Sequence, residues 1–162
     1  MNLWKTITVG CLVFSWVLVL ALVCCLVFLV VRPSFCQGNV ASPLTTTTLV
    51  RADGEWQSSG LYIEKGQRVV VVAAGAWRHD GYDDGFYGPD GVGIYFDTAV
   101  MPAHKVGVLL GRVGESAPFV LGSSTVFVAE GDGFLQFSMN DDRGTYGNNL
   151  GEVRAQVLVN GR

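Results

Sequence analysis

Residues 140–149, NDDRGTYGNN, concentrate side-chain oxygen atoms between two alternating apolar runs. Asp141, Asp142, Asn148 and Asn149 carry carboxylate or amide oxygens, and the glycines between them let the backbone fold back so that carbonyl groups point inward. Calcium takes six to eight such oxygen ligands at about 2.3–2.6 Å. The segment therefore predicts a calcium-binding loop, although its spacing is not that of an EF-hand.

A second segment, residues 77–93 (WRHDGYDDGFYGPDGVG), is also rich in carboxylates and glycine. Carboxylates in one loop repel one another unless water or a cation compensates their charge. The alternative is a solvated acidic loop, because Asp favours turns in which it needs no ligand. The carboxylates of this segment belong to Asp80, Asp83, Asp84 and Asp90.

The sequence gives little support for catalysis or for nucleic-acid binding. The two histidines, His79 and His104, are not accompanied by the G-x-S-x-G turn of a Ser-His-Asp nucleophile. A zinc site on these histidines, or a carboxylate pair for glycoside hydrolysis, is chemically conceivable, but no spacing points to either. There is no basic patch. We therefore predict a binding protein that is not an enzyme and has no nucleic-acid partner.

The first part of the chain has a different composition. Residues 7–31 contain no charged residue, and these 25 positions exceed the roughly 20 that cross about 30 Å of hydrocarbon. A cleaved signal peptide is the alternative, but its apolar core spans about 7–15 residues and ends at a small-residue cleavage site. We predict a retained transmembrane helix over residues 7–31, preceded by a short cytoplasmic N-terminus, residues 1–6.

The orientation of this helix is predicted from the charges around it. One basic residue lies on each side of the apolar run, Lys5 before it and Arg32 after it. The positive-inside rule therefore gives almost no preference for either orientation. All 14 acidic residues follow the run, and the whole chain has a formal net charge of −3. We expect a single-pass membrane protein whose C-terminal domain is extracytoplasmic, in the periplasm or at the cell surface. All four cysteines precede residue 37, so this domain has no internal disulfide or cysteine zinc site.

The rest of the chain has the pattern of a β protein. Residues 32–46 are polar and contain two prolines, which predicts a flexible linker. In residues 47–162, short β-branched or alternating runs are separated by turn formers, which favours an all-β sandwich of about eight strands. Residues 68–77, RVVVVAAGAW, are almost continuously apolar and predict a central strand buried on both faces.

Four stretches carry a resemblance to a known family. They are VRADGEWQSSGLYIEKGQRVVVVAAGAW, GPDG, VGVLLGRVG and, most specifically, NDDRGTYGNNLGEVRAQV. Over about residues 49–159 the sequence resembles the bacterial calcium-dependent galactose-binding lectins of the galactophilic type. The resemblance implies a small jelly-roll-like β-sandwich, similar to galactose-binding domains, with Ca²⁺ as cofactor and a galactoside or another saccharide as partner.

The resemblance also implies a ligand set for the metal. It assigns calcium to the side chains of Asp141, Asn148 and Asn149 and to the backbone carbonyls of Thr145 and Asp80. In the family, two adjacent sugar hydroxyls complete the calcium shell.

Sugar contacts are implied for Asp141, Asp142, Asn148 and His104. The sequence departs from the family in residues 91–104, where the His-Pro pair and the Gln that hold the sugar are missing. Asp142 also stands where the family has an apolar residue. Galactose is therefore one candidate among several saccharides.

Two functions remain open at this point. The first is a membrane-anchored carbohydrate-binding module that recognises sugar hydroxyls through calcium. The second is a non-catalytic structural or protein-interaction sandwich, in which calcium, or no metal, stabilises the loops. The conformation of residues 91–104 discriminates between them, because side chains that cap the metal would leave no room for a sugar. An oligomer is compatible with either function.

Overall fold

The computed structural model describes residues 43–79 and 85–160, and this part of the chain is all-β with one short 3-10 turn. The strands are β1 (Leu44–Arg51), β2 (Gln57–Ile63), β3 (Arg68–Arg78), β4 (Leu109–Val113), β5 (Phe119–Val120), β6 (Ser124–Val128), β7 (Gly133–Met139) and β8 (Leu150–Asn160). The 3-10 turn, Tyr146–Asn148, precedes β8.

The strands form two antiparallel sheets of four strands each. Sheet I has the order β1-β8-β3-β6, and sheet II has the order β2-β7-β4-β5. Alternating strands bury one face each, and the core between them draws Val50, Val71 and Val157 from sheet I and Leu135 and Phe137 from sheet II. The sequence-based prediction of an all-β sandwich with about eight strands is therefore confirmed.

Within the part of the chain that the structure describes, one hydrophobic core lies between the two sheets. Every residue of the core cluster lies between Val50 and Val159. Residues 40–162 form one compact unit by their backbone contacts. This part contains its own hydrophobic core, so it meets the requirement for folding independently of the residues before it.

One prediction about β3 is wrong. The strand is central, between β8 and β6, but it is not buried on both faces. Val69, Val71 and Ala73 point into the core, whereas Val72 is 48% exposed. The reason is that sheet I is antiparallel, and an antiparallel sheet can leave its outer face in solvent even where the side chains are apolar.

The N-terminal predictions lie mostly outside the described residues. These are the cytoplasmic residues 1–6, the apolar run 7–31 and the greater part of the linker 32–46. Within the described residues, no helix has the length and apolarity needed to cross a membrane. β1 begins at Leu44, three residues before the predicted start of the domain, because it pairs with β8 from Leu44 onward.

Candidate metal and sugar site

The oxygen-rich loop, residues 140–149, joins β7 to β8 at one end of the sandwich. Two other strands end beside it. Arg78 at the end of β3 pairs with Leu150, and Arg51 at the end of β1 pairs with Glu152. The ends of β1, β3 and β7 therefore lie beside the loop. His79, the last described residue before Asp80, directly follows the end of β3.

Asp141 is the most unusual residue of the loop, because its carboxylate is buried without a charged partner. The residue is only 4% exposed. Its Oδ1 accepts a hydrogen bond from the Asp142 N–H at 2.8 Å, and its Oδ2 accepts one from Asn149 Nδ2 at 2.8 Å. Both donors are neutral, and neither ion pair found among the described residues includes Asp141. A buried charge in such surroundings is costly, and a bound cation would offset that cost.

Asn149 is held in a fixed orientation beside this carboxylate. It is buried, and its Nδ2 also donates to the backbone carbonyl of Ala52 at 3.2 Å. Because the amide nitrogen makes these two bonds, Oδ1 is the Asn149 atom that could coordinate a cation. The structure thus brings together two of the predicted metal ligands, Asp141 and Asn149.

Two other predicted ligands, Thr145 and Asn148, belong to the same loop. Thr145 folds back onto Asp142, since its N–H and its hydroxyl both donate to the Asp142 carbonyl, at 3.2 and 2.8 Å. Asn148 is exposed in the 3-10 turn. Asp80 lies outside the described residues, so its carbonyl cannot be placed.

Tyr146 anchors the loop to the end of β7. Its ring belongs to the core cluster, and its hydroxyl donates to the Met139 carbonyl at 3.2 Å. Burial raises the pKa of this phenol above its ordinary value of 10.0. The Tyr146 hydroxyl is therefore a neutral donor over the physiological pH range, and it ties the turn to the strand.

Asn140 is a residue of this site that the sequence did not reveal. It is fully buried, and its Nδ2 donates to the carbonyls of Met101, His104 and Lys105 at 3.1, 3.2 and 3.0 Å. Its Oδ1 accepts from the Met101 N–H at 2.9 Å. Asn140 therefore fixes residues 101–105 against the start of the loop. The one available signal was a polar residue that directly follows an alternating strand and precedes the predicted ligands.

Residues 98–100 lie against the same loop. The Val100 N–H donates to the Asp141 carbonyl at 3.0 Å, and the Thr98 hydroxyl donates to Asp142 Oδ1 at 2.6 Å. The Asp141 carboxylate receives no hydrogen bond from residues 91–104, all of which are described. This segment therefore contacts the backbone of Asp141 and the side chain of Asp142, and it does not cap the Asp141 carboxylate.

His104 is placed differently from the other predicted sugar-binding residues. Its side chain is exposed and lines a groove with Asp90, Tyr95 and Val120, and no residue of the loop 140–149 lines that groove. The structure therefore brings the His104 backbone, but not its side chain, to the loop.

The candidate ligands of this site are mostly neutral oxygen atoms. Among the described residues, no group of three or more His, Cys, Asp or Glu side chains converges. The candidate ligands are instead one carboxylate together with amide and backbone carbonyl oxygens. Such a set suits a hard cation such as calcium and does not suit zinc.

The fold of this chain is similar to that of a solved lectin structure. A solved structure described as "EclA N-terminal domain; PllA-like lectin" superposes with a TM-score of 0.59 at 20% sequence identity, covering 70% of this chain and 95% of that chain. At this identity the likeness shows the fold. No curated protein sequence matches the chain.

The family itself is shown by sequence. The profile of the PA-IL-like protein family matches residues 46–162, which include the loop 140–149 and all of both sheets except the first two residues of β1. This match bears out the resemblance and the prediction of a binding protein that is not an enzyme. Because the match extends over most of the chain, the chain belongs to the PA-IL-like family of carbohydrate-binding lectins.

Proposed function

We propose that the domain binds carbohydrate through a calcium ion held by the loop 140–149. The observation that carries the proposal is the Asp141 carboxylate, which is 4% exposed and has only neutral hydrogen-bond donors as partners. A divalent cation would balance this charge, and the neighbouring oxygens are of the type that calcium prefers.

The residues that would hold the ion are those that the family resemblance implies. They are the side chains of Asp141, Asn148 and Asn149 and the backbone carbonyls of Thr145 and Asp80. A bound calcium would offer its remaining coordination positions to two neighbouring sugar hydroxyls. We propose a galactose-like saccharide as the first ligand to test.

The roles of the protein's own groups in sugar binding follow from their positions. Asn148 is exposed and can donate to, or accept from, a sugar hydroxyl, and Asp142 retains a second carboxylate oxygen beyond the one that accepts from Thr98. Asp141 and Asn149 are buried, so their role is to hold the ion in place. His104 takes part only if the sugar extends beyond the loop.

A second function is favoured by one specific contact. The Thr98 hydroxyl bonds to the carboxylate of Asp142, a residue that sugar binding would use. If the role of Asp142 is only to hold Thr98, the calcium would stabilise the loop without binding a sugar, and the domain would act through protein contacts.

A glycan array with the fragment 43–162 distinguishes the two functions. We expect binding to a subset of glycans, galactosides first, in millimolar calcium. Binding should be abolished by a chelator and restored when calcium is added back. Calcium binding without any glycan ligand would favour the second function, and glycan binding that survives the chelator would contradict the calcium-mediated mechanism.

We also propose that residues 7–31 anchor the chain in a membrane with the domain on the extracytoplasmic side. The support is the length of this uncharged run. After expression in a bacterial host, the full chain should remain in the membrane pellet through alkaline carbonate washing, and a chain lacking residues 1–42 should not. Release of the full chain by the wash would contradict the anchor.

A further inference from the structure

The outer face of sheet II carries a group of aromatic and polar side chains that the calcium loop does not include. In β7 the core residues alternate with Phe134 and Gln136, which therefore point outward. The strand register places Tyr62 of β2 opposite Phe134 and Arg112 of β4 opposite Gln136. Trp56, just before β2, has its ring against Arg112. These five residues form the outer-face cluster.

Two aromatic rings of the outer-face cluster are in contact with water. Tyr62 is 53% exposed and Phe134 is 49% exposed, and their ring centres lie 5.4 Å apart at an interplanar angle of 88°. In this edge-to-face arrangement each ring holds the other in place, while part of their apolar surface stays open. The C–H face of a sugar ring can pack on an open aromatic surface of this kind.

Arg112 is held in one orientation by its neighbours in the cluster. Its Nε donates to Gln136 Oε1 at 2.8 Å, and its guanidinium carbon lies 4.5 Å from the centre of the Trp56 ring. The side chain is only 22% exposed. Because the stacking and the hydrogen bond already restrict this long side chain, binding a ligand would cost little further side-chain entropy.

The positive charge of Arg112 is only weakly compensated by the protein. Its Nη1 lies 3.8 Å from Glu115 Oε2, beyond hydrogen-bond distance, and the Glu115 side chain is 89% exposed. An ion pair this exposed is weak. Apart from Nε–H, the guanidinium N–H groups have no hydrogen bond to any residue in the described ranges. They can therefore donate to a carboxylate in the paired geometry that arginine favours.

We propose that the outer-face cluster is a second saccharide-binding site, which takes a glycan that carries a carboxylate, such as a uronic acid. The carboxylate would accept from Arg112, a sugar ring would pack on Phe134 and Tyr62, and the Gln136 amide would donate to a hydroxyl. A saccharide fits because open aromatic rings lie beside one oriented cation in a domain of a carbohydrate-binding family. This site includes no calcium ligand and is separate from the function proposed for the loop 140–149.

The affinity of this site should be modest. Its residues lie on the outer face of a sheet and not in a deep pocket, so much of a bound glycan would stay in water. We expect a dissociation constant of roughly millimolar order for a short glycan. Added salt should weaken binding, because Arg112 is in contact with solvent.

Chemical-shift mapping by NMR tests the site in the fragment 43–162. The probe is trigalacturonic acid, titrated in excess EDTA so that the loop 140–149 holds no calcium. We expect saturable shifts in β2, β4 and β7 around the outer-face cluster and at the Trp56 indole N–H, without shifts in the loop 140–149. Shifts confined to that loop, or no shifts at tens of millimolar probe, would overturn the proposal.

Two further probes separate the sugar from its charge. The methyl ester of trigalacturonic acid keeps the sugar rings and removes the charge, whereas triglutamate keeps carboxylates without sugar rings. Both should bind more weakly than trigalacturonic acid by roughly tenfold or more. Equal binding of the ester would contradict the role of Arg112, and equal binding of triglutamate would indicate a site for acidic peptides instead.

Substitutions test the individual side chains in the same titration. Arg112→Gln should weaken binding of trigalacturonic acid by roughly tenfold or more, and Phe134→Ala should weaken it several-fold. Glu115→Gln removes the competing carboxylate and should strengthen binding about twofold, a gain that a folding defect cannot produce. The matched control is Arg154→Gln, since Arg154 is an exposed arginine on β8 of sheet I. Equal affinity in Arg112→Gln and Arg154→Gln would refute the site, whatever the calcium loop binds.

Discussion

Two adjacent carboxylates of the loop have different surroundings, and this difference supports Asp141 as the proposed calcium ligand. Asp141 is buried and its bonds come from a backbone N–H and an amide. Asp142 is partly exposed and accepts from the Thr98 hydroxyl. Water can solvate Asp142 but reaches little of Asp141, so the cost of an unpaired charge falls mainly on Asp141.

Asn140 allows a prediction at the scale of a single side chain. Asn140→Ala removes an amide that accepts from the Met101 N–H and shares its two N–H hydrogens among the carbonyls of residues 101, 104 and 105. The Met101 and Lys105 carbonyls keep a backbone donor, whereas the Met101 N–H loses its acceptor. Each such bond contributes roughly 1 kcal/mol, so we expect the free energy of unfolding to fall by about 2–4 kcal/mol. Urea denaturation of the fragment 43–162 measures this change.

The control for this substitution is Asn160→Ala. Asn160 is exposed at the end of β8, and its loss should change the free energy of unfolding by less than about 0.5 kcal/mol. If Asn140→Ala were as mild as Asn160→Ala, the bonds from Asn140 would not be what fixes residues 101–105.

At the scale of the elements, the sequence predicts strands well where alternation is regular. The run GFLQFSM is β7, and the alternation of EVRAQVLVN continues through β8. The prediction that β3 is buried on both faces was wrong. An apolar run shows that a strand has apolar side chains on both faces, but it does not show whether another element covers the outer face. Val72 on β3 shows this, since no strand or helix of the described chain lies over it.

The contacts between residues 98–105 and the loop could not be predicted, because they join residues that are far apart in sequence. Residues 140–149 could be identified because their oxygen atoms are close together in sequence. The bond from Thr98 to Asp142 joins residues 44 apart, and the bond from Asn140 to Met101 joins residues 39 apart. Residues 91–107 form no regular strand or helix, so neither periodicity nor propensity gives their position. Tertiary contacts alone place this segment.

At the scale of the whole molecule, the proposals reinforce one another. A membrane anchor would confine many copies of the domain to one surface, which would raise the effective concentration of the loop 140–149 there. Several anchored copies could then engage one glycan-covered surface together, so a weak affinity for each sugar could become a stronger affinity for that surface.

The most direct test of the central claim is calorimetric titration of calcium into the fragment 43–162 and two variants of it. Asp141→Asn keeps the shape of the side chain and removes its charge. Asp132→Asn makes the same change in a residue that accepts from the Lys65 N–H and lies next to Gly133, at the far end of β7 from the loop. We predict saturable binding that Asp141→Asn weakens by about 100-fold or more and Asp132→Asn leaves unchanged. Absence of binding to the intact fragment, or equal affinity in Asp141→Asn, would contradict a calcium site in this loop.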